Sequence, residues 1–166
     1  MRRVLLLSDS HGYIDQKILK YVDEVDEVWH AGDIGHVKVI QSILKLKPLK
    51  AVYGNIDDIK IREKFEEDLT FSCEGLKIYM THIGGYPGNY NRRAKKIIEA
   101  FKPNIFICGH SHILKIINDK NNSLLHMNPG ACGIQGFHKK RTMIKFNIEN
   151  LRVKSVTIIE LSNKII

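Results

Sequence analysis

The sequence is poor in features that would tie a chain to a membrane or to an oxidising compartment. Its 166 residues contain three cysteines, Cys73, Cys108 and Cys132. An odd number with no C-x-x-C spacing argues against a disulfide framework. Cys108 follows an apolar run and reads as a small core residue. No apolar run approaches the roughly 20 residues that span a bilayer. The opening MRRVLLLSDSHG has only four apolar residues, Val4 to Leu7, before Ser8 and Asp9. That is shorter than a signal-peptide core and lacks a cleavage site, so it reads as a first strand and the protein as cytoplasmic. No internal repeat, low-complexity tract or linker divides the chain. Its length suits one domain, 1–166, with a sizeable core.

What is present is ordinary globular composition, 43% hydrophobic and 27% charged, with a formal charge of +8. The positive charge points to acidic partners such as phosphates, nucleic acid or anionic surfaces. Scattered lysines such as Lys17, Lys20, Lys45, Lys47, Lys139 and Lys140 equally solvate helix and loop faces. No long basic stripe interleaved with aromatics appears, so nucleic-acid binding rests on charge alone.

The first two-thirds alternates strand-like and helix-like segments. Strands are expected at 2–8 (running into Asp9), 27–33, 49–55 and 104–110, with two more around Glu74-Gly75 within 69–82. Apolar residues at helical spacing mark helices over 14–24, 37–47 and 90–101. After His112 the pattern becomes strands at 113–119, 123–129, 142–150 and 151–161, with turns at Asn121-Asn122 and Glu149-Asn150. The expectation is an α/β protein with a partly parallel sheet, βα units in one half and meandering strands in the other.

Residues able to hold a metal cluster where these strands stop. The strand ends carry Asp9-Ser10-His11, Gly32-Asp33, Gly54-Asn55-Ile56-Asp57, Thr81-His82 and Gly109-His110-Ser111-His112. From His11 to His110 the steps between ends are 22 to 28 residues, near the roughly 30 of one βαβ unit. In α/β sheets, ligands bind outside the carboxyl ends of strands. Taken singly, Gly-Asp or Gly-Asn after a strand is plain turn chemistry, and a lone histidine is a hydrogen-bonded loop residue. In order and together they form a ligand set. Imidazole with carboxylate and amide oxygen suits manganese, iron, zinc, cobalt or nickel, whereas all-oxygen magnesium and calcium sites have no use for four histidines. Seven ligands exceed one tetrahedral zinc and suffice for two ions sharing a carboxylate.

The ordered motif D-x-H, G-D, G-N, lone His and G-H-x-H resembles the calcineurin-like metallophosphoesterase superfamily. SDSHG, the short GNID and the NPGA at 128–131 resemble its small YfcE-like phosphodiesterase branch. The resemblance implies a four-layer α/β/β/α sandwich of two mixed sheets. It implies two divalent metal ions, manganese foremost, with Asp9, His11 and His112 on one, Asn55, His82 and His110 on the other, and Asp33 bridging. It also implies in-line attack on phosphorus by a metal-bridging hydroxide, and a phosphoester small-molecule or nucleotide substrate. A relative of the same fold, Vps29, implies the alternative of a non-catalytic protein-interaction scaffold.

One departure concerns the residue after the Asn of G-N. Many superfamily members carry a histidine there that protonates the leaving group; here it is Ile56, which holds no proton. Loss of a general acid typically costs 10²–10⁴-fold on poor leaving groups. Asp57 is a candidate substitute, as is Asp58, although both also suit turn or capping roles. Arg92 and Arg93, opening a helix, are candidates for meeting a substrate phosphate. His30 and His36 read as structural or ligand-orienting, and His126 and His138 as unrelated to chemistry, although His138 follows GIQGF and can face a cleft. The long C-terminal strands leave a homo-oligomer edge open.

Overall fold

The computed structural model describes residues 1–161. In chain order the first elements are β1 (Arg2–Leu7), α1 (Gln16–Asp23), β2 (Glu27–His30), α2 (Val37–Leu44) and β3 (Leu49–Ala51). A single turn, α3 (Ile59–Arg62), leads to β4 (Asp68–Cys73) and β5 (Leu76–Thr81). The two-residue strands β6 (Gly85–Tyr86) and β7 (Asn89–Tyr90) precede α4 (Arg92–Phe101) and β8 (Ile105–Ile107). Then follow β9 (Leu114–Asp119), β10 (Leu124–Pro129), β11 (Arg141–Glu149) and β12 (Arg152–Leu161). Residues 162–166, beyond the last expected strand, lie outside the described residues.

The strands form two five-stranded mixed sheets, ordered β12-β11-β1-β2-β3 and β4-β5-β8-β10-β9, and a small β6–β7 ladder. In the first, β1, β2 and β3 run parallel while β11 lies antiparallel to β1. In the second, β5, β8 and β10 run parallel, edged by antiparallel β4 and β9. Alternation within β1 sets the layering, because successive side chains leave opposite faces of a strand. Leu5 and Leu7 pack with Ile18 and Val22 of α1 and Val39, Ile40 and Ile43 of α2. Val4 and Leu6 face Ile78, Met80, Ile105, Ile107 and Met127 of the other sheet. On that sheet's far side Tyr79 and Phe106 pack with Ala94 and Ile98 of α4. The result is the α/β/β/α sandwich implied by the sequence, with three apolar interfaces.

The meander after His112 divides between the sheets. β9–β10 stays in the second sheet, whereas the β11–β12 hairpin crosses to the first and pairs with β1. The reason lies in β11 itself: Met143 faces the helix-side core while Ile144, Phe146 and Ile148 face the inter-sheet core. A strand apolar on both faces belongs in a sheet interior. Its turn is centred on Asn150-Leu151, one residue later than expected. Both residues have positive φ, 51° and 58°, as a two-residue hairpin turn of matching twist requires. α3 and the β6–β7 ladder have no counterpart in the expected elements, because each is too short to show a period.

The start of β1 is clamped to the residue before β2. Arg3 donates its backbone N–H (2.8 Å) and its guanidinium Nη2 (2.6 Å) to the two carboxylate oxygens of Asp26. The Asp26 N–H donates back to the Arg3 carbonyl at 3.0 Å. The side-chain bond and backbone N–H from Arg3 hold the Asp26 carboxyl down to about 2. The unfolded chain therefore takes up this proton first, and the stabilisation is lost as pH falls from about 4 to about 2. Asp26→Asn is expected to cost about 1 kcal/mol at neutral pH. In urea titrations the difference from the wild type should vanish across that acid window.

Candidate metal centre

Five strands deliver polar residues to one edge of the sandwich, three from the first sheet (β1, β2, β3) and two from the second (β5, β8). Backbone hydrogen bonds lace the loops together. Asp9 N–H donates to Gly32 O, His11 N–H to Asp33 O and Gly109 N–H to His82 O, each at 3.0 Å, and Gly133 N–H to Asp9 O at 3.1 Å. Five of the seven expected ligands adopt the left-handed backbone conformation: Asp9, His11, Asp33, His110 and His112, with φ of 47–69°. Non-glycine residues reach this region rarely, and such strain concentrates at functional sites. Gly109 leaves the room this needs, since a Cβ there would lie 2.1 Å from Ser8 Oγ and 2.9 Å from Asp9 Oδ2.

The side chains fall into two groups, Asp9, His11 and His112, and Asp33, His82 and His110, with the donor atoms of each within 4.8 Å of one another. Asp33 faces both groups, with Oδ1 3.3 Å from His82 Nε2 and Oδ2 3.6 Å from His11 Nε2. Asp9 Oδ1 lies 3.2 Å from His112 Nε2 and 3.9 Å from the Nε2 atoms of His11 and His82. Asn55 is exposed and lines a cavity with His11, Asp33, His110 and His112, and a second with His82. Six of the seven expected ligands thus fall in these two groups, and Asn55 lines cavities that adjoin both.

Three buried atoms here have no hydrogen-bond partner: Asp9 Oδ1, His11 Nε2 and His82 Nε2. Buried polar atoms are almost always paired, so three converging orphans fit a group that accepts their lone pairs. The tautomers agree. His82 Nδ1 lies 2.8 Å from the Ala31 carbonyl, which only accepts, so Nδ1 carries the proton and Nε2 the lone pair. His138 Nε2 lies 3.0 Å from the Gly133 carbonyl, and its Nδ1 lies 3.1 Å from His112 Nδ1. With His138 neutral, its Nδ1 accepts from the His112 Nδ1–H, which again leaves the lone pair on His112 Nε2. Metal-ligating histidines almost always have such a partner on the other ring nitrogen.

Burial opposes ionisation of Asp33, yet its contact with His82 outweighs that and holds its pKa below the carboxylate range. Burial likewise lowers the His82 pKa, but the nearby Asp33 carboxylate and then the Asp9 charge leave it raised. His110 is lowered by burial and then by His82. A proton and a cation therefore compete for the same imidazole lone pair.

Other candidates lie elsewhere. Asp57 is buried and accepts backbone N–H groups of Ile34 (3.1 Å), Gly35 (2.7 Å) and Gly54 (2.8 Å). With both oxygens so engaged, it fixes the loops after β2 and β3 rather than supplying a proton. Asp58 caps α3. Arg92 is exposed, whereas Arg93 pairs with Asp68 at 2.9 Å and lines the cavity shared by Asn55 and His82. His36 caps α2 through Lys38 N–H. His30 is fully buried, takes the Gly32 N–H on Nδ1 and meets Ser10 Oγ at 2.8 Å, so burial drives its pKa to about 3 and it stays neutral. His138 is the residue whose place the sequence understated; the glycines before it were the available signal, as Gly136 passes against the His112 ring.

Residues 1–151 match the calcineurin-like phosphoesterase superfamily domain, and the chain belongs to that family. It is 27% identical over 163 residues to a Mycoplasma pneumoniae protein named probable metallophosphoesterase, covering 95% of this chain and 96% of that one. Its fold is shared with a structure described as a novel archaeal phosphodiesterase (TM-score 0.72, 20% identity, 96% and 99% coverage). Entamoeba histolytica Vps29 complexed with zinc shares it too (TM-score 0.73, 18% identity, 96% and 98% coverage).

Removing the Asp57 carboxylate strands three backbone donors, two of them buried. Asp57→Ala is expected to lower stability by about 2–4 kcal/mol in chemical denaturation. Asp58→Ala, which removes only a cap, should cost about 1 kcal/mol.

Proposed function

We propose that this protein is a phosphodiesterase working through two divalent cations in a single domain. Asp9, His11 and His112 hold one, Asn55, His82 and His110 the other, and Asp33 is shared between them. Manganese is the leading candidate, with iron, zinc, cobalt and nickel suited to the same donors. When bound, such ions supply Lewis acidity at the phosphoryl oxygens and a water acidic enough to ionise near neutral pH. The observation that carries the reading is that Asp9 Oδ1, His11 Nε2 and His82 Nε2 are buried without a hydrogen-bond partner, both ring nitrogens lying 3.9 Å from Asp9 Oδ1.

The chain's own groups prepare that site. Asp33, ionised by its surroundings, offers one oxygen to each half. The Ala31 carbonyl and His138 fix His82 and His112 as lone-pair donors through Nε2. Ile56 stands at the cleft with no proton to give, so the best substrates are esters whose departing alcohol is already acidic. A protein-docking scaffold is the second reading, favoured by Ile113 and a fully exposed Phe137 beside Ile56 at the cleft mouth.

With manganese supplied, the protein should hydrolyse bis(p-nitrophenyl) phosphate, and Asp33→Ala should reduce kcat about a thousandfold or more while circular dichroism stays native. Absence of metal-dependent turnover, with one stoichiometric protein partner captured instead, would select the scaffold. His138→Ala is expected to weaken manganese binding about 10–100-fold by calorimetry. Unchanged affinity would remove its orienting role.

A further inference from the structure

A second cavity, of about 380 Å³, opens from the other side of His110 and Ser111. That volume falls within the ~300–1,000 Å³ of small-molecule sites. The β6–β7 hairpin and the start of α4 form one wall and the face of β9–β10 the other. Tyr86 and Tyr90 line it, and Lys115 reaches over the Tyr86 ring at 4.5 Å from its centroid. His126, on β10, is 1% exposed, and its Nδ1 has no hydrogen-bond partner. Its ring sits 5.6 Å from Phe106 and 6.1 Å from Tyr90.

The neighbouring Asn128 shows how the cavity joins the metal cleft. Its amide donates to Gly109 O (2.9 Å) and Ser111 Oγ (3.1 Å), and its carbonyl accepts from Gly130 N–H (3.0 Å). Asn128 is therefore fully committed to holding the His110 segment, while His126 beside it keeps a ring nitrogen unused. Burial, then Lys115, lowers the His126 pKa to about 4, so its ring is neutral at physiological pH. Aromatic walls, a neutral ring that can both donate and accept, and a cation at the rim suit a flat heterocycle joined to an anion.

We infer that this cavity receives the nucleobase of a nucleotide phosphodiester whose phosphorus lies at the Asp33–His82–His110 side of the cleft. His126 meets an edge of the base, and Tyr86 and Tyr90 flank it. The inference rests on the phosphodiesterase reading for the position of the phosphorus, but base binding itself needs no turnover.

The test begins with the metal-free, full-length protein titrated with adenosine, guanosine, cytidine and uridine at millimolar concentration. Imidazole resonances of His126 are followed by NMR. At least one nucleoside should shift them, and Tyr86→Ala, at an exposed position, should weaken that binding about tenfold. The p-nitrophenyl phosphodiester of the best nucleoside is then compared with methyl p-nitrophenyl phosphate on the manganese-loaded enzyme. Tyr86→Ala and His126→Leu should each lower the preference for the nucleoside ester, as a ratio of kcat/KM, about tenfold. Metal-dependent hydrolysis with no shift at His126 by any nucleoside, or with a preference that neither variant changes, overturns the base site and leaves the phosphodiesterase reading standing. A shift at His126 without hydrolysis of either ester does the reverse: it supports the base site and removes the phosphodiesterase.

Discussion

The buried carboxylate of Asp9 is the constraint on which the cleft depends. It is fully enclosed at the end of the central strand β1. Its Oδ2 takes the Ser8 hydroxyl (2.6 Å) and the His110 backbone N–H (3.1 Å), which ties the first sheet to the second. Its Oδ1 has no hydrogen bond and faces three imidazoles instead. A buried carboxylate without compensation is costly, and a protein keeps one only where charge is required. The sandwich supplies rigid strands to hold it, and the loops bend around it into conformations they would otherwise avoid.

Two polar networks away from the proposed ligands keep those bends in place. Asp57 gathers the backbone of two loops, and the His30–Ser10 pair links the loop after β1 to the segment carrying Asp33, with Ser10 Oγ also donating to Ile34 O at 3.0 Å. These residues are histidines and acids within reach of the cleft, and their chemistry is nonetheless structural. Residue type alone does not separate the two roles; free lone pairs do. Asp57 and His30 spend theirs on backbone N–H groups, while His11 Nε2, His82 Nε2 and Asp9 Oδ1 keep theirs unspent.

Much of the fold was legible because its elements are periodic. The helices with Ile18 and Val22, or with Val39, Ile40 and Ile43, show a buried stripe, and β1 is a short apolar run of the kind a strand buried on both faces shows. The candidate ligands were legible because each directly follows such a strand. What escaped was short or long-range. α3 and the β6–β7 ladder are too brief to show a period. The return of β11 to β1 depends on pairing across more than a hundred residues, which no local pattern encodes. His126 read as a bystander because nothing in its flanking residues indicates which cavity its ring lines, and the glycines before His138 hint at a cleft without saying which ring it would meet.

Sequence by itself determined the α/β class, the strand ends that carry Asp9, His11, Asp33, Asn55, His82, His110 and His112, and the absence of a proton at Ile56. These follow from side-chain chemistry and from periodicities of two and 3.6 residues, both local. Tertiary structure alone decided that three of those strand ends come from one sheet and two from the other, and that Asp33 faces both halves. It also decided that His138 abuts His112 and that His126 lines a second cavity. The physical reason is that hydrogen-bond partners and cavities are properties of surfaces brought together, and residues far apart in the chain carry no mark of which surfaces will meet.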